Sequence, residues 1–162
     1  MKKIFSMLFM AAMLAVSFTA CKKDPCADVT CDHGTCNDGT CDCETGYEGD
    51  ECSTQMRSKF LGTFTGTESC SVSGNFPITW NINTSGTAVN KVIINNLYAD
   101  GTAVSGTVSG TSITIPVQTA TAQGFSFTVD GSGQISGNIL TVTYTVSASG
   151  ASETCTATIT KQ

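Results

Sequence analysis

Phe76-Pro77-Ile78-Thr79-Trp80-Asn81-Ile82-Asn83 decides the fold. Phe76, Ile78, Trp80 and Ile82 face one way, and Pro77, Thr79, Asn81 and Asn83 face the other. This period of two belongs to a strand with one buried face. The same alternation runs through Ile113, Ile115 and Val117, through Phe125, Phe127 and Val129, and through Leu140, Val142, Tyr144 and Val146. Residues 59–162 are rich in Thr, Ser and Gly, and no stretch has helical periodicity. The region is therefore expected to be all-β, with antiparallel strands that are apolar inside and Thr-lined outside.

Turn signals recur at Ser85-Gly86, Asp100-Gly101, Ser109-Gly110, Gln123-Gly124, Asp130-Gly131, Ser136-Gly137 and Ser149-Gly150. They predict hairpins joining about eight strands into a meander. Pro77 and Pro116 are placed on strand ends or edges, where a missing N–H is tolerated. Cys70 and Cys155 stand near the two ends of the region. Phe60, Phe64, Cys70 and Val72 share one face, and Cys155, Ala157 and Ile159 share another. A Cys70–Cys155 bridge would join the first strand to the last and close the meander into a barrel. A two-sheet sandwich is the alternative architecture.

A family resemblance follows from Phe60-Leu61-Gly62-Thr63-Phe64-Thr65-Gly66, Val92-Ile93-Ile94-Asn95-Asn96-Leu97 and Ile113-Thr114-Ile115-Pro116. With these, residues 59–162 resemble the small lipocalin-like β-barrels of bacterial lipoproteins. The resemblance implies a fold and no chemistry.

Toward the N-terminus the composition changes. Cys26, Cys31, Cys36, Cys41, Cys43 and Cys52 are too closely spaced for the chain between them to build an apolar core, so crosslinks must supply the order. Spacing alone leaves fifteen pairings among six cysteines. A zinc site formed from Cys31, His33, Cys36, Cys41 and Cys43 is the competing reading, disfavoured in an oxidising compartment. Cys41-Asp42-Cys43-Glu44-Thr45-Gly46-Tyr47-Glu48-Gly49-Asp50-Glu51-Cys52 resembles the ending of an EGF-like module, and Cys31-Asp32-His33-Gly34-Thr35-Cys36 resembles its centre. The resemblance implies the pairs Cys26–Cys36, Cys31–Cys41 and Cys43–Cys52. The acidic and aromatic pattern of calcium-binding members is missing, so no metal and no cofactor is expected.

Residues 1–20 carry Lys2 and Lys3 before an apolar run that ends in small residues, the form of an export signal. Cys21 follows, and its setting resembles the lipobox of bacterial lipoproteins, which implies lipidation there. Residues 21–25 are then a tether, 26–52 the EGF-like module, 53–58 a short polar linker and 59–162 the barrel. The expected location is the bacterial outer membrane, anchored by lipid and exposed at the cell surface.

From Cys26 to Cys52 every charged side chain is acidic: Asp28, Asp32, Asp38, Asp42, Glu44, Glu48, Asp50 and Glu51. With a net charge of -5 and no basic stripe, a nucleic-acid partner is excluded. The barrel region has no histidine, so neither a Ser-His-Asp nor a Cys-His arrangement can be built from it. The chain is read as non-enzymatic. Glu68 and Glu153 each lie two residues before a cysteine, on its inward face, and are placed at the barrel rim, where one of them would orient a ligand. Trp80, Phe125, Phe127 and Tyr144 are the other ligand-facing candidates. The expected function is display of the barrel to an unknown protein, glycan or small apolar ligand; the alternative is carriage of a small apolar ligand inside the barrel.

Overall fold

A computed structural model describes residues 23–98 and 101–162. The expected export signal, Cys21 and Asp100 lie outside the described residues. A disulfide-rich region comes first, followed by a closed eight-stranded antiparallel barrel.

The disulfide-rich region has almost no apolar interior. Its bridges are Cys26–Cys36, Cys31–Cys41 and Cys43–Cys52. Between them, β1 (Gly34–Asn37) pairs with β2 (Thr40–Cys43) across Asp38-Gly39, where both residues have positive φ, 49° and 87°, as a two-residue hairpin turn requires. A Cβ on Gly34 would lie 2.4 Å from the Asp42 carbonyl oxygen and 2.9 Å from Cys52 Sγ, so only glycine fits where bridge and hairpin meet. A second pair, β3 (Tyr47–Glu48) with β4 (Thr54–Gln55), leads into a 3-10 turn, Met56–Phe60. Residues 53–58, read from sequence as a linker, thus contain β4 and the start of that turn.

The barrel strands are β5 (Gly62–Cys70), β6 (Gly74–Thr84), β7 (Lys91–Leu97), β8 (Thr102–Ser109), β9 (Ser112–Ala122), β10 (Phe125–Ser136), β11 (Ile139–Ala148) and β12 (Ala151–Lys161). Each pairs with the next, and β12 returns to β5, with register from Cys155↔Cys70 to Lys161↔Phe64. One sheet closed on itself replaces the sandwich alternative. Cys70 and Cys155 are bridged across this closing seam. Phe64, Trp80, Ile82, Ile94, Ile115 and Leu140 are among the side chains that fill the interior, all fully buried.

Hydroxyls dominate the outside. Thr141↔Thr158, Thr143↔Thr156 and Thr145↔Thr154 stand opposite one another on β11 and β12, and Thr67↔Thr158 and Thr65↔Thr160 continue the rows onto β5. Such cross-strand pairs suit β-branched residues on a pleated, solvated face.

Four sequence expectations are corrected by the register. Asp130-Gly131 is not a hairpin turn but lies inside β10, opposite a bulge formed by Pro116 and Val117 on β9. Gly131 serves close approach there: a Cβ would sit 2.5 Å from the Cβ of Tyr144. The bulge reverses the alternation of β9, so Val117, expected inside, is 77% exposed. Val72, expected to share the inward face of Cys70, is 78% exposed, because β5 ends at Cys70 and residues 71–73 turn into β6. Neither proline sits at a strand end. Pro116 is in the bulge, and Pro77 is in a part of β6 that β7 does not reach, their pairing beginning only at Asn81.

Candidate binding site at the open mouth

The two ends of the barrel differ. At the end carrying the β6–β7, β8–β9 and β10–β11 turns, the 3-10 turn Met56–Phe60 lies against the opening, with Phe60 fully buried. Arg57 Nη1 donates to the carbonyl oxygens of Ala88 at 2.9 Å and Lys91 at 3.3 Å. Gly110 N donates to Met56 Sδ at 3.2 Å, and Lys59 pairs with Glu48 at 2.7 Å. Gly46 presses on the same loop, where an added Cβ would be 2.5 Å from Val89 Cγ2. The disulfide-rich region therefore covers this end.

The other end carries the β5–β6, β7–β8, β9–β10 and β11–β12 turns and has no such cover among the described residues. Tyr98 reaches across it. The β7 register shifts between Asn95 and Leu97, with Asn96 at φ 68° and Tyr98 at φ 59°. Asparagine accepts the left-handed conformation readily. Its amide holds the bulge in place: Nδ2 donates to Thr79 O, and Oδ1 accepts from Gly101 N, both at 2.9 Å. Tyr98 stacks edge-on against Phe76 at 5.9 Å between ring centroids, and its hydroxyl donates to Glu153 Oε2 at 2.5 Å.

Glu153 is held by four groups. Besides the Tyr98 hydroxyl, Val72 N donates to Oε1 at 2.7 Å, Ser73 N donates to the same oxygen, and Ser73 Oγ donates to Oε2 at 2.9 Å. Burial pushes this carboxyl up, but the hydrogen bonds outweigh it and hold Glu153 at about 2. Burial and the bond to Glu153 raise the Tyr98 hydroxyl. The carboxylate ties the β5–β6 turn to β12 and to the Tyr98 ring.

Beneath Tyr98 lies a buried layer of Glu68, Trp80 and Tyr144. Glu68 is not at the rim, as the sequence had placed it, but fully buried. It pairs in register with Ala157, four residues along β12 from Glu153, and β5 continues past it to Cys70. Burial and the neighbouring Glu68 carboxyl push the Tyr144 hydroxyl up. Trp80 and Tyr144 rings stand 6.2 Å apart. The Trp80 indole nitrogen is buried and meets no acceptor among the described residues.

At the mouth itself a depression of about 310 Å³ is lined by Tyr98, Ala122, Gln123, Phe125, Phe127, Val146 and Ala148. Phe125 is 78% exposed. A second depression of about 230 Å³ shares Val146 and Ala148 and reaches Val72 and Glu153. The four aromatic candidates are thus divided: Phe125 and Phe127 line the mouth, and Trp80 and Tyr144 belong to the layer below. Two further depressions, of about 470 and 510 Å³, lie on the outer face of β9–β11 and are lined mainly by hydroxyls such as Thr114, Ser132 and Thr143.

Sequence reasoning missed Tyr98 and Ser73. Neither lies in an alternating pattern, and the only local signal was the Asn95-Asn96 pair before Leu97-Tyr98. Ligand atoms of Cys70, Glu153 and Cys155 lie within 4.8 Å of one another, but the two sulfurs are bonded to each other and supply no thiolate. His33 stacks on Tyr47 at 3.8 Å in the disulfide-rich region, away from the mouth. None of the family models, curated proteins or solved structures compared with this chain matches it.

Proposed function

We propose that the protein is a non-enzymatic, lipid-anchored bacterial lipoprotein that displays a lipocalin-like barrel, with the open mouth as its binding surface. The observation that carries this reading is the difference between the ends. One is sealed by the 3-10 turn, while the other presents Phe125 and Val72, each 78% exposed, in two adjoining apolar depressions that share Val146 and Ala148. Solvated apolar side chains gathered at one place are unfavourable unless something covers them.

The anchor in this reading is Cys21, in the outer membrane. The EGF-like module then stands between membrane and barrel as an acidic spacer and turns the open mouth outward. Nucleic acid is not a partner, since the net charge is -5. The described cysteines are all in bridges, and the single histidine is remote from the mouth, so neither a thiolate nor an imidazole is at hand there.

Native mass spectrometry of the full chain extracted from its own membrane tests the mouth. A small ligand at one per chain, lost in Phe125→Ser, is the expected result. Retention of that ligand by Phe125→Ser would overturn the assignment of the site, and recovery of the chain bare would overturn small-ligand binding.

A further inference from the structure

The β7–β8 hairpin is shorter than its neighbours, and the barrel wall is left unpaired beside it. The β8–β9 ladder runs only from Ser109↔Ser112 to Thr107↔Thr114, although β8 reaches from Ser109 back to Thr102 and β9 runs on to Ala122. The next pair would set Ser105 against Pro116, and proline has no N–H to offer. The Gln118 side chain takes its place. Its Oε1 accepts from Ser105 N at 2.9 Å, while its Nε2 donates to Ser105 O at 2.8 Å and to Pro116 O at 3.1 Å. One side-chain amide thus answers both backbone groups of Ser105, as a residue of a pairing strand does. Backbone groups alternate between the two borders of a strand, so Ala103 turns its N–H and C=O to the same gap. No ladder partner faces them there among the described residues.

The far side of the gap is an arm. β9 and β10 pair with each other out to Ala122↔Phe125, but β10 meets β11 only from Thr128↔Ser147 onward. Residues 119–127 are therefore in register with neither β8 nor β11. A two-stranded ribbon without lateral partners is marginally stable by itself, and this one can swing from its base without breaking a ladder. The other flank of the β7–β8 hairpin is closed: Asn95 Nδ2 and Asn96 Nδ2 donate to Asn81 O and Thr79 O, and Tyr98 lies on Phe76. We infer that the gap between β8 and β9 takes an extended peptide, added as a short strand from the mouth end. The Gln118 amide gives way to it. One border of the peptide meets Ala103 and Ser105, and the other meets the free border of β9 beyond Gln118. An unpaired strand border recognises peptide backbone, while the surfaces beside it choose side chains. Pro116 and the ladder at Thr107↔Thr114 stop the peptide, so the slot holds about four or five residues at ~3.3 Å each. Residues 102–105 and 116–122 carry no charge, and Val104 and Ala120 are buried beside the gap. The fitting segment is thus uncharged, with apolar and polar residues in alternation. The inference concerns the wall and does not rest on what fills the depression at the mouth.

The test is titration of the full chain with a blocked five-residue peptide of alternating threonine and valine, followed by calorimetry and by amide exchange. Saturable binding with new protection of the Ala103 N–H is the expected result. The same peptide N-methylated at alternate residues keeps its side chains but loses the donors of one border, and should bind at least about tenfold more weakly. Gln118→Ala leaves the Ser105 backbone unoccupied and should tighten binding of the unmethylated peptide, with thermal unfolding confirming that the variant folds. Equal binding of the two peptides by the unaltered chain would overturn strand addition, and so would binding without protection of Ala103. Absence of binding to the unaltered chain would overturn the inference as well, and Gln118 would then close the wall and nothing more. Unchanged affinity in folded Gln118→Ala would overturn the displacement of its amide. Because the comparison of the two peptides uses the unaltered chain, it stands even if Gln118→Ala does not fold.

Discussion

The disulfide-rich region and the barrel reach order by opposite means. Residues 26–52 hold three bridges and one large ring, Tyr47, that is partly shielded. The barrel holds one bridge and an interior of fully buried Ile, Val, Leu, Phe and Trp side chains. A short segment cannot bury enough surface to offset its chain entropy, whereas a closed sheet can. The difference teaches where each part is vulnerable: the first to loss of a covalent bond, the second to loss of packing or of its seam.

The largest effect is expected from Cys43→Ala with Cys52→Ala. Removing this bridge takes away the main support of the β3–β4 pair, and residues 43–55 should lose all amide-exchange protection while the barrel strands keep theirs. Equal loss of protection in both parts would erase the distinction. Next is Cys70→Ala with Cys155→Ala. For a sequence separation of 85 residues the chain-entropy model assigns about 4–5 kcal/mol, read as a lowered midpoint in urea. The barrel should stay folded through its core, with β12 and β5 the first strands to exchange. A fully unfolded product would mean that the seam, and not the interior, holds the barrel.

The smallest effect sharpens the comparison at the mouth. Glu153 has a folded-state pKa of about 2, below its ordinary value of 4.5. Its contribution to stability is therefore complete above the ordinary value and is lost as pH falls from there toward about 2. Thermal midpoints measured between pH 6 and 2 should fall in the unaltered chain and fall less in Glu153→Gln. Identical profiles would show that the hydrogen bonds to Glu153 do not stabilise the fold.

Much of the barrel was legible because alternation is local. Phe76 to Ile82 and Leu140 to Tyr144 needed only their own sequence to reveal an inward face, and the position of Cys70 and Cys155 near the two ends suggested closure. The bulges were not legible. Glycine serves both positive φ and close approach, and nothing in Asp130-Gly131 tells these apart: Gly131 has no positive φ, yet no side chain would fit there. The mouth was legible least. Tyr98, Ser73 and Glu153 are separated by 25 and 80 residues, and only the closed register brings them together. Glu68 was assigned the correct face but the wrong depth, because period gives direction and not distance from the rim.

The hydroxyl rows on the outer face have a consequence of their own. Open sheets commonly spend lysines and other charges on their borders to prevent further strands from adding, but here β12 and β5 occupy each other's borders and leave no place for addition. Along this seam the exterior is thereby released from guarding against strand addition. Substitutions among Ser, Thr, Asn and Gln at positions such as Thr67, Thr141 and Thr158 should be nearly free, so this surface can drift during evolution while the interior and the mouth are held fixed.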